Sequence, residues 1–340
     1  FNDPAEIISW MGGIQGQDYS GSKWGVGLRL TPGIKDVDLD HAMTEKSILR
    51  TWLMRGTLHL VAAKDIQWML ELLSPKIIKN NTRRYRELEL DENTLKRSNQ
   101  VLQDVLRGDK QLSRKELLFI LNEQGISTEG QRAAYILQRA SLNGLICQCA
   151  VERNDPVYIS MDMIPKTKTL EREEALAELA RRYYQSRGPA TAEDFIWWSG
   201  LWADDARTGL EMVKSEFKSE TIGKKIYWRP DITIRNIPPV AHLLPTYDEY
   251  VIGYRDRMAF LAETNKIKLQ NHFQPTIIIN GQIIGTWKRI LKKGSIFMDY
   301  FPFKKLNTVE NRLLTESENI YSEFMNLPVK QSGKQIKENI

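Results

Sequence analysis

The middle of the chain carries an order of helix and strand signals that few folds accommodate. Ser113 and Glu116 have the spacing of a capping box, in which each side chain binds the other residue's backbone N–H, and they predict a helix over residues 115–124. A second helix is predicted over residues 131–142, and a glycine follows each helix. Two extended segments then flank a turn at residues 154–156. Helix, turn, helix and hairpin is the order of a winged helix, whose second helix lies across a DNA groove.

The same plan is predicted before this unit. Asp3 is placed to cap a short first helix, and a second helix is predicted over residues 19–30. Residues 48–54 and 57–61 then alternate in polarity around Arg55-Gly56, which predicts a β-hairpin with glycine in the turn. We therefore interpret this region as an earlier copy of the helix and hairpin unit.

A helix over residues 65–73 is expected to follow the first hairpin and to end at Pro75, because proline has no backbone N–H to continue it.

A third copy is predicted farther along the chain, and it begins with a helix over residues 170–186. Thr191 is predicted to cap a later helix. The elements expected there are helices over residues 192–199 and 203–216 and a strand over residues 221–228.

The pattern changes after Pro238-Pro239. Asn280-Gly281 between two apolar segments is the strongest hairpin signal in the chain, and a closing helix is predicted over residues 309–325. The expected fold class is α+β, with three tandem winged-helix units followed by a small β-barrel-like module. The expected units are residues 1–75 (with the glutamine loop), 76–165, 166–235 and 236–327, and a tail over 328–340.

Composition adds weaker constraints. The net charge of +5 and the pI of about 9.0 permit a polyanionic partner without requiring one. Cys147 and Cys149 lie two residues apart on a predicted strand, a spacing awkward for a disulfide and too small for a zinc site. No metal or cofactor is therefore expected. Because the sequence shows neither a signal peptide nor a long apolar run, we expect a cytoplasmic protein with no membrane partner.

The sequence Ile14-Gln15-Gly16-Gln17-Asp18 is the first place to look for chemistry. Glycines before it are expected to end one helix, and Asp18 can cap the next, so the two glutamines are predicted to lie in a tight connection. A carboxamide is neutral and can hold a water molecule, but it cannot remove a proton from a strong bond. Two polar residues in a loop are more often solvated side chains with no further role.

Other side chains are candidates for the same surface. Arg55, Thr57 and His59 alternate on one face of the first predicted hairpin, although such groups are often structural. Asp248 and Glu249 suggest a carboxylate pair, but adjacent residues point apart, so a salt bridge with Arg255 or Arg257 is the alternative. Tyr247 is expected either to stack on a nucleic acid or to fill a core. Basic residues cluster near the end of the chain: Lys288, Arg289, Lys292 and Lys293.

Several ordered segments together resemble one family. The segments IQGQDYSG, RTWLMRGTLHLVAAKDIQWMLELL, RGPATAEDFIWWSGL, LLPTYDEYVIGYRDR and INGQIIGTWKR are similar to the AlkZ-like family of bacterial winged-helix DNA glycosylases, over about Asp3 to Met325. The resemblance implies three tandem winged helices around a concave channel and a β-barrel-like module. It also implies a catalytic motif of glutamine, an aliphatic residue and glutamine. Gln15 and Gln17 stand at the outer positions, whereas Gly16 departs from the aliphatic one.

The resemblance therefore implies an enzyme of DNA repair. Such an enzyme would hydrolyse the N-glycosidic bond of N7- or N3-alkylated or crosslinked purines in duplex DNA, with water positioned by Gln15 and Gln17. The residues implied to bind DNA or line the channel are Arg55, Thr57, His59, Tyr247, Asp248, Lys288 and Arg289. The expected partner is damaged double-stranded DNA and the expected state a monomer. The alternative is a non-catalytic winged-helix DNA-binding regulator.

Overall fold

Helices and strands alternate along the chain in a computed structural model that describes residues 1–152, 155–167, 169–233, 237–261, 273–292 and 294–331. The first half contains α1 (Pro4–Trp10), β1 (Ile14–Gln15), α2 (Tyr19–Gly27), α3 (Asp36–Thr44), β2 (Ile48–Trp52), β3 (Leu58–Ala62), α4 (Ile66–Glu87), α5 (Glu92–Val105), β4 (Leu112–Ser113), α6 (Arg114–Glu123), α7 (Arg132–Leu142), β5 (Ile146–Glu152) and β6 (Asp155–Ser160). The second half contains α8 (Arg172–Arg187), α9 (Ala192–Ser199), α10 (Ala203–Val213), β7 (Lys218–Ile222), β8 (Lys225–Arg229), β9 (Ala241–Leu244), α11 (Glu249–Ile252), β10 (Thr276–Ile279), β11 (Gln282–Lys292), β12 (Ser295–Pro302), α12 (Thr308–Met325) and β13 (Val329–Gln331). The α+β class is confirmed.

The helix starts follow the capping signals. The Asp3 carboxylate accepts a hydrogen bond from a backbone N–H of α1, and Asp18 does the same for α2. Ser113 and Glu116 form the expected capping box at α6, and Thr191 caps α9 in the same way. These caps satisfy backbone donors that a helix cannot satisfy internally, so they fix the first turn of each helix.

One helix end was predicted wrongly. α4 does not stop at Pro75 but continues to Glu87. Proline removes one hydrogen bond from the helix interior. Leu72 and Leu73 before it and Ile77 after it are all buried, so a continuous apolar face spans the proline. Burial of this face outweighs the single missing hydrogen bond.

Three other segments also differ from expectation. α3 was not predicted, although Leu39 and Met43 are buried at helical spacing. The single strand expected over residues 221–228 is the hairpin of β7 and β8, which turns at Gly223. The first residues of the expected tail form β13, which pairs in parallel with β12.

The first two predicted hairpins are parts of one sheet. Its strand order is β1-β3-β2-β5-β6-β4, and β2 meets β5 where Arg50 lies opposite Gln148. The hairpin of β7 and β8 forms a separate two-stranded sheet. The first two hairpins are therefore in direct backbone contact, and the short strand β1 lies at the edge of their common sheet.

The C-terminal module is built on a half-barrel sheet of order β13-β12-β11-β10-β9. Its core is shared with the start of the chain, because Ile7 and Trp24 pack in one buried cluster with Trp287 and Tyr321. Residues at opposite ends of the sequence thus enclose one apolar interior. In the described part of the chain, no helix combines the length and the apolar character needed to cross a bilayer.

The small residues of α2 make this contact possible. A Cβ atom added to Gly25 would lie 3.2 Å from Asp248 Oδ2, and one added to Gly27 would lie 2.4 Å from Phe324 Cε2. α2 therefore lies directly against the C-terminal module at these glycines, and there is no room for side chains between them.

The contact at Gly27 gives a stability prediction. Gly27→Ala is expected to lower the free energy of unfolding by about 1–3 kcal/mol, since the new methyl group overlaps the Phe324 ring. A decrease in the free energy of unfolding would be informative, because alanine in an unobstructed helix raises it by about 1 kcal/mol relative to glycine. Urea unfolding measures the change.

The control for this prediction removes the obstacle. In a Phe324→Leu background, Gly27→Ala should cost clearly less than in the wild-type background, because the two residues are in contact and their effects are not additive. An equal cost in both backgrounds would show that the overlap is not the cause.

Candidate functional site

Gln15 lies at the end of β1, opposite His59 of β3. The expectation that both glutamines lie in a loop is therefore correct for Gln17 only. The Gly16 N–H donates to the Leu58 carbonyl oxygen (2.7 Å), which extends the ladder one residue beyond the strand. Strand pairing thus fixes the backbone that carries Gln15.

The two glutamine side chains have different environments. Gln15 is 8% exposed, and its Oε1 accepts a hydrogen bond from Arg55 Nη2 (3.1 Å). Gln17 is exposed, and its Oε1 accepts a long hydrogen bond from the Leu58 N–H (3.4 Å). One carboxamide is buried against Arg55, and the other is exposed two residues farther along the chain.

Gly16 lies against the backbone of β3. A Cβ atom at this position would lie 3.2 Å from Leu60 N and 3.4 Å from the His59 carbonyl carbon. Both are backbone atoms of a paired strand and cannot move aside easily. Glycine therefore lets the connection between the glutamines lie closer to β3 than an aliphatic residue would.

Arg50 holds the same connection from the other side. Its Nε donates to the Gly16 carbonyl oxygen (2.8 Å), and its Nη1 donates to Gln148 Oε1 (2.7 Å). Gln148 Nε2 in turn donates to the Tyr158 hydroxyl (2.8 Å). This buried chain links the glutamine connection to β5 and β6. Sequence analysis missed Arg50, although a charged residue in a largely apolar predicted strand was an available signal.

Glu249 supports Gln15 through the backbone. Its Oε1 accepts the Gln15 N–H (2.9 Å), and its Oε2 accepts from Arg187 Nη2 (2.6 Å) and Trp198 Nε1 (2.9 Å). Both charged side chains are almost fully buried, at 1% for Glu249 and 2% for Arg187. Burial by itself raises the pKa of Glu249, but Arg187 and Arg55 outweigh it and hold that pKa at about 2. The carboxylate is therefore charged at neutral pH.

The adjacent carboxylates point to different partners, as expected, but the expected partners were wrong. Asp248 pairs with Arg29 (2.7 Å) and Glu249 with Arg187, instead of Arg255 or Arg257. Asp248 is buried and also caps α11. The structure therefore places Asp248 in a structural ion pair between α2 and the C-terminal module.

Each of the three predicted residues of the first hairpin has an internal contact. Arg55 binds Gln15, and the Thr57 hydroxyl donates to the Met54 carbonyl oxygen (3.2 Å). His59 is fully buried, with Nδ1 2.9 Å from the Thr57 carbonyl oxygen. Nδ1 therefore carries the proton, and Nε2 is an acceptor with no partner among the described residues. Burial, together with Arg55, lowers the pKa of His59 from 6.5 to about 4, so its imidazole is neutral at pH 7.

The remaining predicted residues lie farther along the chain. The Tyr247 ring is 5.6 Å from the Phe273 ring. Lys288 is exposed, whereas Arg289 donates to Ser20 Oγ (2.8 Å) and contacts the Tyr321 hydroxyl. Arg289 thus joins β11 to α2 and α12. Lys293 and the turn residue Asn154 lie outside the described residues.

The two cysteines have structural positions. Cys147 and Cys149 are free thiols and both are buried. Burial raises the pKa of the Cys147 thiol and, to a smaller extent, that of Cys149. Neutral thiols are poor nucleophiles and poor metal ligands, in line with the sequence interpretation.

Comparison with known families identifies the family of the chain. A family model described as DNA glycosylase AlkZ-like matches residues 8–308. The chain belongs to this AlkZ-like DNA glycosylase family. The match includes Gln15, Gln17 and every partner of these side chains described above.

Individual relatives agree with the family match. The chain is similar to an interstrand DNA cross-link repair glycosylase of Streptomyces sahachiroi, with 22% identity over 314 residues, which is 84% of this chain and 81% of that protein. Its structure is similar to that of the Streptomyces sahachiroi DNA glycosylase AlkZ, with a TM-score of 0.76 and 18% identity, over 96% of this chain and 93% of that chain. The AlkZ-like fold is therefore shared over nearly the whole chain.

The buried histidine of this AlkZ-like site predicts a pH dependence of stability. An unfolded His59 binds a proton near pH 6.5, whereas the folded one binds it near pH 4. The neutral imidazole therefore makes its full contribution to the free energy of unfolding above pH 6.5. As the pH falls toward 4, this contribution decreases by about 3 kcal/mol. Between pH 6.5 and 4, the free energy of unfolding of His59→Gln should fall by less than that of the wild type, and the difference should be about 3 kcal/mol.

Urea unfolding at pH 7, 5.5 and 4.5 measures this difference. His41→Gln, at an exposed position in α3, is the matched control and should follow the wild type. If wild type and His59→Gln lose equal stability on acidification, His59 is not buried as a neutral imidazole.

Proposed function

We propose that this protein is a DNA glycosylase that hydrolyses the N-glycosidic bond of N7- or N3-alkylated or crosslinked purines in duplex DNA, acting as a monomer. The observation that carries the proposal is a pair of carboxamides two residues apart, with Gln15 held by Arg55 and Glu249 and with Gln17 exposed. The relative from Streptomyces sahachiroi, described as an interstrand DNA cross-link repair glycosylase, supports the substrate class.

The chemistry suits neutral groups. An N7- or N3-alkylated purine carries a positive charge, so it leaves without a proton from a general acid. The remaining task is to place a water molecule at the sugar carbon as positive charge develops there, as in other glycoside hydrolyses. Gln15 and Gln17 can do this by hydrogen bonding alone, and positioning by itself is a large part of catalysis.

The hairpins support a DNA-binding arrangement. We assign one winged-helix unit to each of the hairpins β2–β3, β5–β6 and β7–β8, over residues 1–75, 76–165 and 166–235. In such units a helix contacts a groove and the hairpin contacts the backbone. An open arrangement also suits a crosslinked base, which cannot flip into a closed pocket as bases do in most glycosylases.

The site predicts a loss of activity without a loss of binding. Gln15→Ala and Gln17→Ala should each lower the rate of base release about 10²-fold, because a displaced water attacks poorly. The measurement is single-turnover release of N7-methylguanine from duplex DNA, with DNA affinity measured in parallel. Gln100→Ala, the same change on the exposed face of α5, is the control.

The outcomes separate the two classes of function. Equal base release by wild type and both variants would reject the assignment of the site. The absence of base release from alkylated and from crosslinked duplexes, together with tight binding to one palindrome, would favour the non-catalytic regulator.

DNA affinity should depend on salt, because phosphate contacts dominate such interfaces. Lys288 and Lys292 are exposed on β11 and are proposed to contact phosphates. Lys288→Ala and Lys292→Ala should each weaken binding regardless of sequence and reduce the slope of log K against log salt by about one. Fluorescence anisotropy of labelled duplexes measures the slope.

A lysine that pairs with a carboxylate serves as the control. Lys304 pairs with Glu310 (2.8 Å), so Lys304→Ala should leave the slope unchanged. A slope unchanged in Lys288→Ala and Lys292→Ala would remove β11 from the proposed DNA surface.

A further inference from the structure

The carboxamide of Gln15 has a defined partner at the tip of the first hairpin. Arg55 Nη2 donates to Gln15 Oε1 (3.1 Å), and Arg55 Nη1 donates to the Trp198 carbonyl oxygen. A guanidinium group only donates hydrogen bonds, so it can bind only the oxygen end of a carboxamide. The contact therefore determines which end of the Gln15 side chain faces Arg55 and which faces away.

The backbone of Arg55 is unusual. Its φ of 59° and ψ of 12° lie in the left-handed region, which residues other than glycine rarely adopt. Gly200 packs directly on it, since a Cβ atom there would lie 3.0 Å from Arg55 N. Glycine or asparagine would form this turn with less strain, so local conformation does not explain an arginine here. Strained residues of this kind cluster at functional sites.

Arg55 is partly buried and keeps its positive charge, and Glu249 attracts it without forming an ion pair with it. Burial lowers the pKa of Arg55 to about 10 even though Glu249 opposes that shift, so the side chain stays cationic at neutral pH. Glu249 carries the opposite charge and binds the Gln15 backbone. Gln15 is therefore held at two points, its N–H by a carboxylate and its carboxamide oxygen by a guanidinium group.

We propose that Arg55 is a positioning residue that fixes the orientation of the Gln15 carboxamide and does not contact a DNA phosphate. This inference rests on the glycosylase function proposed above. With one lone pair of Oε1 bound to Arg55, Gln15 keeps the second for a hydrogen bond from water and directs its NH₂ group away. Without Arg55, the carboxamide can rotate by half a turn and replace this acceptor with a donor.

Arg55→Met tests the proposal. Methionine is unbranched at Cβ like arginine and keeps most of the apolar stem, but it cannot donate to Gln15. The rate of N7-methylguanine release under single-turnover conditions should fall about 10²-fold. DNA affinity and its salt slope should stay at the wild-type values, and Arg55→Lys, which can still donate one hydrogen bond, should restore part of the rate.

A double variant shows whether Arg55 acts through Gln15. If it does, Gln15→Ala/Arg55→Met should release the base as slowly as Gln15→Ala alone, because no carboxamide is left to orient. Losses that add in the double variant would overturn the proposal. A weaker DNA affinity in Arg55→Met with a salt slope reduced by about one would overturn it in favour of a phosphate contact.

Control variants distinguish a positioning role of Arg55 from a loss of stability and from a failure of the proposed glycosylase function. Arg107→Met removes the same charge at an exposed position at the end of α5 and should behave as wild type. Thermal unfolding checks each variant, and if Arg55→Met does not fold, Arg55→Leu, which also lacks a donor, replaces it. A wild type that releases no base overturns both proposals. A slow Gln15→Ala with an unimpaired Arg55→Met overturns this one alone.

Discussion

The carboxylate of Glu249 is the contact on which the arrangement of the candidate site depends. It accepts hydrogen bonds from the end of β1, from Arg187 at the end of α8 and from Trp198 in α9. A buried ion pair of this kind adds little net stability, because desolvation of both charges offsets their attraction. Removing one partner, however, leaves a buried charge uncompensated, so the pair strongly disfavours any packing that separates these elements. The ion pair of Glu249 and Arg187 therefore mainly fixes the position of β1 relative to α8 and α9.

The site is assembled from segments that are far apart in the chain. Gln15 comes from the first strand, Arg55 from the first hairpin tip, and Glu249 lies 234 residues after Gln15. The shared core of N-terminal helices and C-terminal half-barrel holds these segments together, and α2 approaches that module through glycines. The buried chain from Arg50 to Tyr158 also ties the glutamine connection to the second hairpin.

Local signals predicted the elements but not the contacts between them. Ser113 and Thr191 fixed helix starts because capping is a property of four successive residues. The end of α4 was missed because burial of a face that spans Pro75 is a tertiary effect. The glutamine pair was identified from its motif, yet nothing near Glu249 in sequence distinguishes it from Asp248 as the residue that binds Gln15. Which of two adjacent carboxylates faces β1 depends on the packing of α11, and short-range patterns do not contain that information.

The groups around Gln15 also limit the chemistry that the site can perform. The carboxylate of Glu249 binds the Gln15 N–H, but Arg187 and Trp198 also use its oxygens, and its pKa of about 2 makes it a weak base. His59 is neutral, but its side chain is fully buried. Neither group is placed to take a proton from water at the surface, and a general base contributes typically 10²–10⁴-fold where one is present. In the proposed reaction that contribution has to be replaced by the substrate, whose cationic base leaves on its own. A site of this kind should therefore discriminate against undamaged purines through the stability of their glycosidic bond, without needing a pocket that excludes them by shape.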